Sequence, residues 1–312
     1  MHTISKYIIG FLLAFFCINV VYAQQEAMYS QYMFNTLAIN PAYAGSRNVV
    51  SATALYRNQW VGIEGAPSTQ TISFDGATSN KKVGLGFQVF NDEIGISKTT
   101  GAFASYAYRI RMDKGTLAFG LQAGAALYTA NFSRVALNPT GAPDVSFAQD
   151  VRTVQPNFGA GVYYNSDKFY LGVSVPQMLG NTLNNNTNIS SSRLIARQYT
   201  HLFIAAGYVF DINKDIKIKP SVLFKGVQGA PLQLDINSNV WFFDIFSIGL
   251  QYRTEADIAA MTEIQLNSQI RFGYAYDRST TRLADFNSGS HEFMLRYEFG
   301  SAKSKLLSPR YF

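Results

Sequence analysis

Cysteine is almost missing from this chain: Cys17 is the only one in 312 residues. It lies in an amino-terminal stretch that reads as a secretory signal peptide, residues 1–23, with Lys6 as a basic start, an apolar core from Ile8 to Phe16 and a small residue closing Val21-Tyr22-Ala23. Cleavage before Gln24 would remove the sole thiol, which excludes disulfides, CxxC metal sites and cysteine nucleophiles from the mature chain. Bulky Phe15 and Phe16 precede Cys17, where a lipidated cysteine needs small neighbours. The apolar core is also shorter than the roughly 20 residues that a spanning helix requires.

Histidine is nearly as scarce, and after residue 23 only His201 and His291 remain. His291 has Ser288, Ser290 and Glu292 nearby, but adjacent strand residues point to opposite faces, so this is a poor catalytic constellation and no enzyme is expected. Acidic clusters are thin. Asn91-Asp92-Glu93 and Asp285 lack the regular spacing that a calcium loop with about six or more oxygen ligands needs, and neither metal nor cofactor is expected. Charge is sparse and mildly basic: beyond residue 23, 25 Lys and Arg less 20 Asp and Glu leave +5. Without a basic run, this excess favours contact with anionic membrane lipid surfaces or polyanions over nucleic acid.

Long hydrophobic runs are also lacking after Ala23, so no helix is expected to span a membrane. Aromatics, by contrast, are abundant at 14%, with 24 Phe and 19 Tyr, and there are 24 Gly. Such an exported chain is a soluble all-β protein or a membrane barrel, and its alternation favours the barrel. In residues 116–129 one face carries Leu117, Phe119, Leu121, Ala123, Ala125 and Leu127, and the other Ala118, Gly120, Gln122, Gly124, Ala126 and Tyr128. Leu232, Leu234, Ile236, Val240 and Phe242 likewise oppose Gln233, Asp235, Asn237 and Asn239, and Ile270, Phe272, Tyr274 and Tyr276 oppose Arg271, Gly273 and Asp277. A greasy face against a small or polar one suits strands with lipid on one side and a lumen on the other.

The breaks between strands alternate in length. Six short ones fall at 79–82, 112–115, 165–168, 213–215 and around Asp244 and Asn267; seven longer ones fall at 57–68, 91–98, 133–152, 177–197, 226–231, 253–257 and 278–290. The expected fold is an all-β transmembrane antiparallel barrel of about 14 strands over residues 49–299, with short periplasmic turns, longer outer loops and both termini periplasmic. The first outer loop contains RNQWVGIEGAPS, in which Gly62, Gly65 and Pro67 supply turn geometry and Trp60 suits an interfacial aromatic belt. The polar run Asn184 to Asn188 falls in the fourth outer loop. Residues 24–48 and the tail 300–312 fit no strand, and are read as periplasmic segments free to plug the barrel, dock to a partner or hang loose.

The run QYMFNTLAINPAYAGS, the hairpin YRNQWVGIEGAPSTQTISFDG, the stretch GLGFQVFNDEIG and the closing SPRYF resemble the PorP/SprF family of outer-membrane proteins of the type IX secretion system. The resemblance implies a barrel that supports secretion or surface anchoring of large gliding or adhesin-type cargo. Its implied partners are secretion machinery subunits and the C-terminal domain of a cargo protein. On that basis Arg57, Trp60, Gly62 and Pro67 are candidates for an exterior recognition surface, and Asn40, Pro41, Gly45, Pro309, Arg310 and Phe312 for docking or plugging. A channel for small solutes is the alternative, and the two readings part on whether the lumen is open.

Overall fold

Alternating residues make extended strands, and hydrocarbon forces those strands to close, because no water is present to satisfy an open sheet edge. The computed structural model describes residues 29–134, 150–181, 198–227 and 230–300. Its strands are β1 (Val50–Asn58), β2 (Ser68–Ala77), β3 (Val83–Ile94), β4 (Ser97–Met112), β5 (Gly115–Ala130), β6 (Val151–Asn165), β7 (Phe169–Val175), β8 (His201–Tyr208), β9 (Phe210–Asp211), β10 (Ile216–Val227), β11 (Gln233–Phe242), β12 (Phe246–Arg253), β13 (Asp257–Gln265), β14 (Ile270–Ser279) and β15 (Ser290–Phe299). β8 and β9 are one stave interrupted at Val209, whose N–H donates to the Lys168 carbonyl at 2.7 Å. The barrel therefore has fourteen staves, each antiparallel to its neighbours, and closes through pairing of β1 with β15, from Val50 opposite Phe299 to Asn58 opposite His291.

The faces follow the alternation. Phe119, Leu121, Ile236, Leu250 and Phe272 are exposed on the outer wall, Leu121 at 64%, while Gln122, Asn237, Gln251 and Arg271 are buried inside. No described helix is long and apolar enough to cross a membrane; the strands cross it. The staves differ in height: β4 and β5 have 16 residues each, β7 has 7 and β12 has 8.

Two connections expected to be long are tight. β3 and β4 run on to a turn at Gly95-Ile96, and Arg253 and Asp257 are joined by only three residues. Asn91, Asp92 and Glu93 pair with Thr100, Thr99 and Lys98 as ladder residues. A polar strand end above the hydrocarbon belt carries the composition of a loop. The other connections keep the alternation, so the barrel has a long-loop end and a short-turn end.

Candidate functional site

Residues 29–48 lack the period of two and cannot join the wall; they fill the lumen. Three short 3-10 turns, Tyr32–Phe34, Thr36–Ala38 and Pro41–Tyr43, form this plug. Tyr32, Phe34, Leu37, Ala42 and Tyr43 pack with Ala118, Tyr163, Phe203 and Trp241 of the wall into one buried apolar cluster. Because β1 starts at the short-turn end, the plug leaves the lumen there. Its other end lies at the opposite mouth, where the Tyr29 carbonyl accepts from Arg253 Nη2 at 3.4 Å and Tyr29 Oη bonds Thr71 Oγ1 at 2.7 Å. A segment that traverses a tube enters and leaves by different ends. Phe299 lies at the short-turn end and Tyr29, the first described residue, at the long-loop end.

At that mouth the plug is held by buried charge. Arg57 Nη1 donates to Glu292 Oε2 at 2.9 Å and to Ser30 Oγ at 3.1 Å, and pairs with Asp277. The same Glu292 carboxylate accepts the backbone N–H groups of Ser30 and Gln31 at 2.9 and 2.8 Å, and Ser30 Oγ donates to Asp277 at 2.7 Å. Arg253 bridges Asp235 at 3.1 Å and Asp257 at 2.9 Å. Charges this deeply buried persist only when paired and hydrogen-bonded, and here the plug backbone supplies part of the bonding.

Deeper in the lumen, polar wall residues meet the plug one by one. Asn237 Nδ2 donates to Tyr32 Oη at 2.7 Å, Ser73 Oγ to Asn35 at 2.8 Å and Ser174 Oγ to the Ile39 carbonyl at 2.6 Å. Asn40 opens the last turn by accepting from Ala42 N–H at 2.9 Å and donates to the Val162 carbonyl at 3.1 Å. Gly120 and Gly84 mark the seat: a β-carbon on the first would collide with the backbone of Ala42, and on the second with the Ala44 carbonyl. The small lumen residues thus admit the plug's main chain.

At the short-turn end Gly45 adopts φ +71°, which glycine tolerates without a penalty, and donates its N–H to Asp75 at 2.9 Å. Arg47 forms a buried ion pair with Glu298 of the last strand.

The family description "type IX secretion system membrane protein PorP/SprF" matches residues 21–297. The chain belongs to this family. The PorP/SprF barrel is an outer-membrane protein, and the family places it with type IX secretion. No curated protein matches it. Among solved structures it is similar to the Acinetobacter baumannii outer membrane protein Omp33 (9% identity, 80% of this chain and 96% of that one, TM-score 0.45). It is also similar to a TodX mutant described as a monoaromatic hydrocarbon channel (8% identity, 86% and 93%, TM-score 0.43) and to the NanC porin (9% identity, 80% and 99%, TM-score 0.42).

The structure separates the candidates. Arg57 belongs to the inward face of β1 with Thr53 and Leu55 and is buried in the mouth, so it cannot form an exterior surface. Trp60, Gly62 and Pro67 lie in the connection 59–67. Trp60 is half-buried with φ +46°, and its N–H donates to Ser290 Oγ at 3.2 Å. Val61 exchanges backbone bonds with Gly289 and Ser288 at 2.9 and 2.7 Å, pinning this loop to the β14–β15 connection. Gly62 is open to solvent at φ +103° with nothing near it, and Pro67 accepts from Gln59 N–H at 2.9 Å. Asn40, Pro41 and Gly45 are plug residues. Pro309, Arg310, Phe312, the residues expected to be a signal peptide and the asparagine run lie outside the described residues.

Glu292, Asp277, Ser30 and Gln31 were missed as functional residues. Strand parity alone places Asp277 and Glu292, like Arg57, on inward faces, and that signal could have found two of these four.

Proposed function

We propose that this PorP/SprF barrel is a sealed, non-enzymatic adaptor that supports secretion or surface anchoring of large cargo proteins through protein contacts. Its long-loop end faces the exterior and its short-turn end the periplasm, in the manner of outer-membrane barrels. The observation that supports this reading is the plug: residues 29–48 fill the lumen and are tied to the wall at both ends and in the middle. A barrel filled this way offers surfaces more readily than a passage. The connection carrying Trp60, fixed against the β14–β15 connection, is the exterior contact surface in this reading, and the residues after Phe299 are the periplasmic one.

The test is in-cell crosslinking followed by mild-detergent purification of the tagged full-length protein from its native outer membrane. Recovery of type IX machinery or a large secreted protein is expected, with loss of the secreted protein on Trp60→Ala and loss of the machinery on deletion of residues 301–312, at unchanged barrel levels. A barrel recovered alone that conducts ions would instead favour the channel.

A further inference from the structure

The barrel wall is low where β12 and β13 run. They have 8 and 9 residues, against the roughly 9–11 that a tilted strand needs to cross hydrocarbon. At the long-loop end they are closed off by the tight turn Thr254-Glu255-Ala256, so only the short-turn end can add length. β7, with 7 residues, is instead continued past Val175 along β6, where Met178 N–H donates to the Phe158 carbonyl at 2.9 Å. β4 and β5, at 16 residues each, need no addition, and the charged pair Asp113-Lys114 joins them. The turns under the low wall differ in kind: Ile212, Phe243, Ile245 and Leu266 are all exposed there, Phe243 at 66%. Backbone bonds set these three turns side by side, Phe243 N–H donating to the Asp215 carbonyl and Gln265 N–H to the Ile245 carbonyl, each at 2.7 Å. Phe243 and Asp244 stand at φ +54° and +59°, a hairpin turn that favours Asn-Gly and is costly for a bulky ring. Lys217 Nζ donates to the Asp244 carboxylate at 2.7 and 3.0 Å, which neutralises its charge.

We propose that the turns 212–215, 243–245 and 266–269 form an apolar wedge that inserts into the membrane leaflet on the short-turn side, completing a wall whose strands alone are too short to cross. A strained ring turned outward calls for a partner, and continuity with the lipid-facing wall assigns phospholipid to that role. Phe242 and Phe246 are cross-strand partners with rings 6.4 Å apart, next in the chain to Phe243 and Ile245, and Leu266 keeps the parity of outward Ile264 and Ile258. Residues 243–253 number 11 and residues 257–266 number 10, so the turns restore the crossing length that the strands lack. The inference is independent of the adaptor reading.

The test uses the full-length protein with Cys17→Ser and one fluorophore-labelled cysteine at a time, folded into vesicles of phosphatidylethanolamine and phosphatidylglycerol. A probe at Phe243→Cys, or at Leu266→Cys should the first variant fail to fold, is expected to be quenched by a nitroxide carried on the lipid acyl chain and shielded from aqueous iodide. A probe at Lys114→Cys should show the reverse. Phe243→Asn separates membrane contact from turn structure, because asparagine suits the left-handed position: in detergent the variant should be at least as stable as wild type, while its folded fraction in long-chain vesicles falls. An unchanged folded fraction overturns the proposal, as does a Phe243 probe as open to iodide as the one at Lys114, or lipid quenching equal at both positions. A Phe243 probe exposed in vesicles yet shielded in the native outer membrane would assign the turns to a protein and overturn it too.

Discussion

Arg57 and Glu292 are cross-strand partners at the seam where the first and last strands meet, and the Glu292 carboxylate also takes the N–H groups of Ser30 and Gln31. One side chain therefore serves barrel closure and plug seating together. The clasp cannot be completed until β15 has paired with β1, so the plug is locked at the mouth only in a closed barrel.

Removing one partner of this buried cluster leaves the others uncompensated, at a cost of about 3–5 kcal/mol. Glu292→Ala is expected to lower the unfolding midpoint of the detergent-solubilised barrel accordingly, and to expose the plug to protease. Replacing Arg57, Asp277 and Glu292 together with apolar residues of similar volume should destabilise less than Glu292→Ala alone. Equal losses would show that pairing is not what makes the cluster matter.

The glycine seat makes a second, steric prediction. Gly120→Val places atoms where Ala42 runs, so the plug must shift and the lumen should leak ions in planar bilayers. Gly226→Ala, where no neighbour lies closer than 3.6 Å, should behave as wild type. A tight Gly120→Val barrel would mean the plug does not lie against β5.

The outer wall gives a third. Leu121→Arg puts a charge on the lipid face and should cost about 2–4 kcal/mol if the residue lies at the bilayer midplane, read as a reduced folded fraction in vesicles. The same change in a soluble barrel would be nearly neutral, so an unchanged folded fraction would argue against lipid contact there.

Chain direction gives a fourth. With cysteine confined to residue 17, single cysteines can be placed at will. Tyr29→Cys should react with an impermeant maleimide from the side of the long loops, and Phe299→Cys only from the other side. The opposite pattern would reverse the proposed orientation.

Much of the fold was legible because a strand in lipid has a strict period of two. The faces of 116–129 and 232–242 follow from it, and the count of fourteen staves follows from the breaks between the strands. The heights of the connections were less legible: Asn91-Asp92-Glu93 has loop composition yet continues β3, because the polar part of a strand outside hydrocarbon needs no greasy face. Position along the lumen was not legible for residues 29–48. Their short 3-10 turns have no repeat, and Asn40-Pro41 and Gly45 announce turns without saying what surrounds them. Arg57 was grouped with the loop by its neighbours in sequence, whereas its parity with Thr53 and Leu55 assigns it to the lumen.

The claim that the lumen is closed by the chain's own amino-terminal segment is tested most directly by the conductance of the purified full-length wild-type barrel in a planar bilayer. The account predicts no steady open-pore steps from wild type, and steps that appear with Gly120→Val or Glu292→Ala. A stable open conductance from wild type, unchanged by those substitutions, would contradict it.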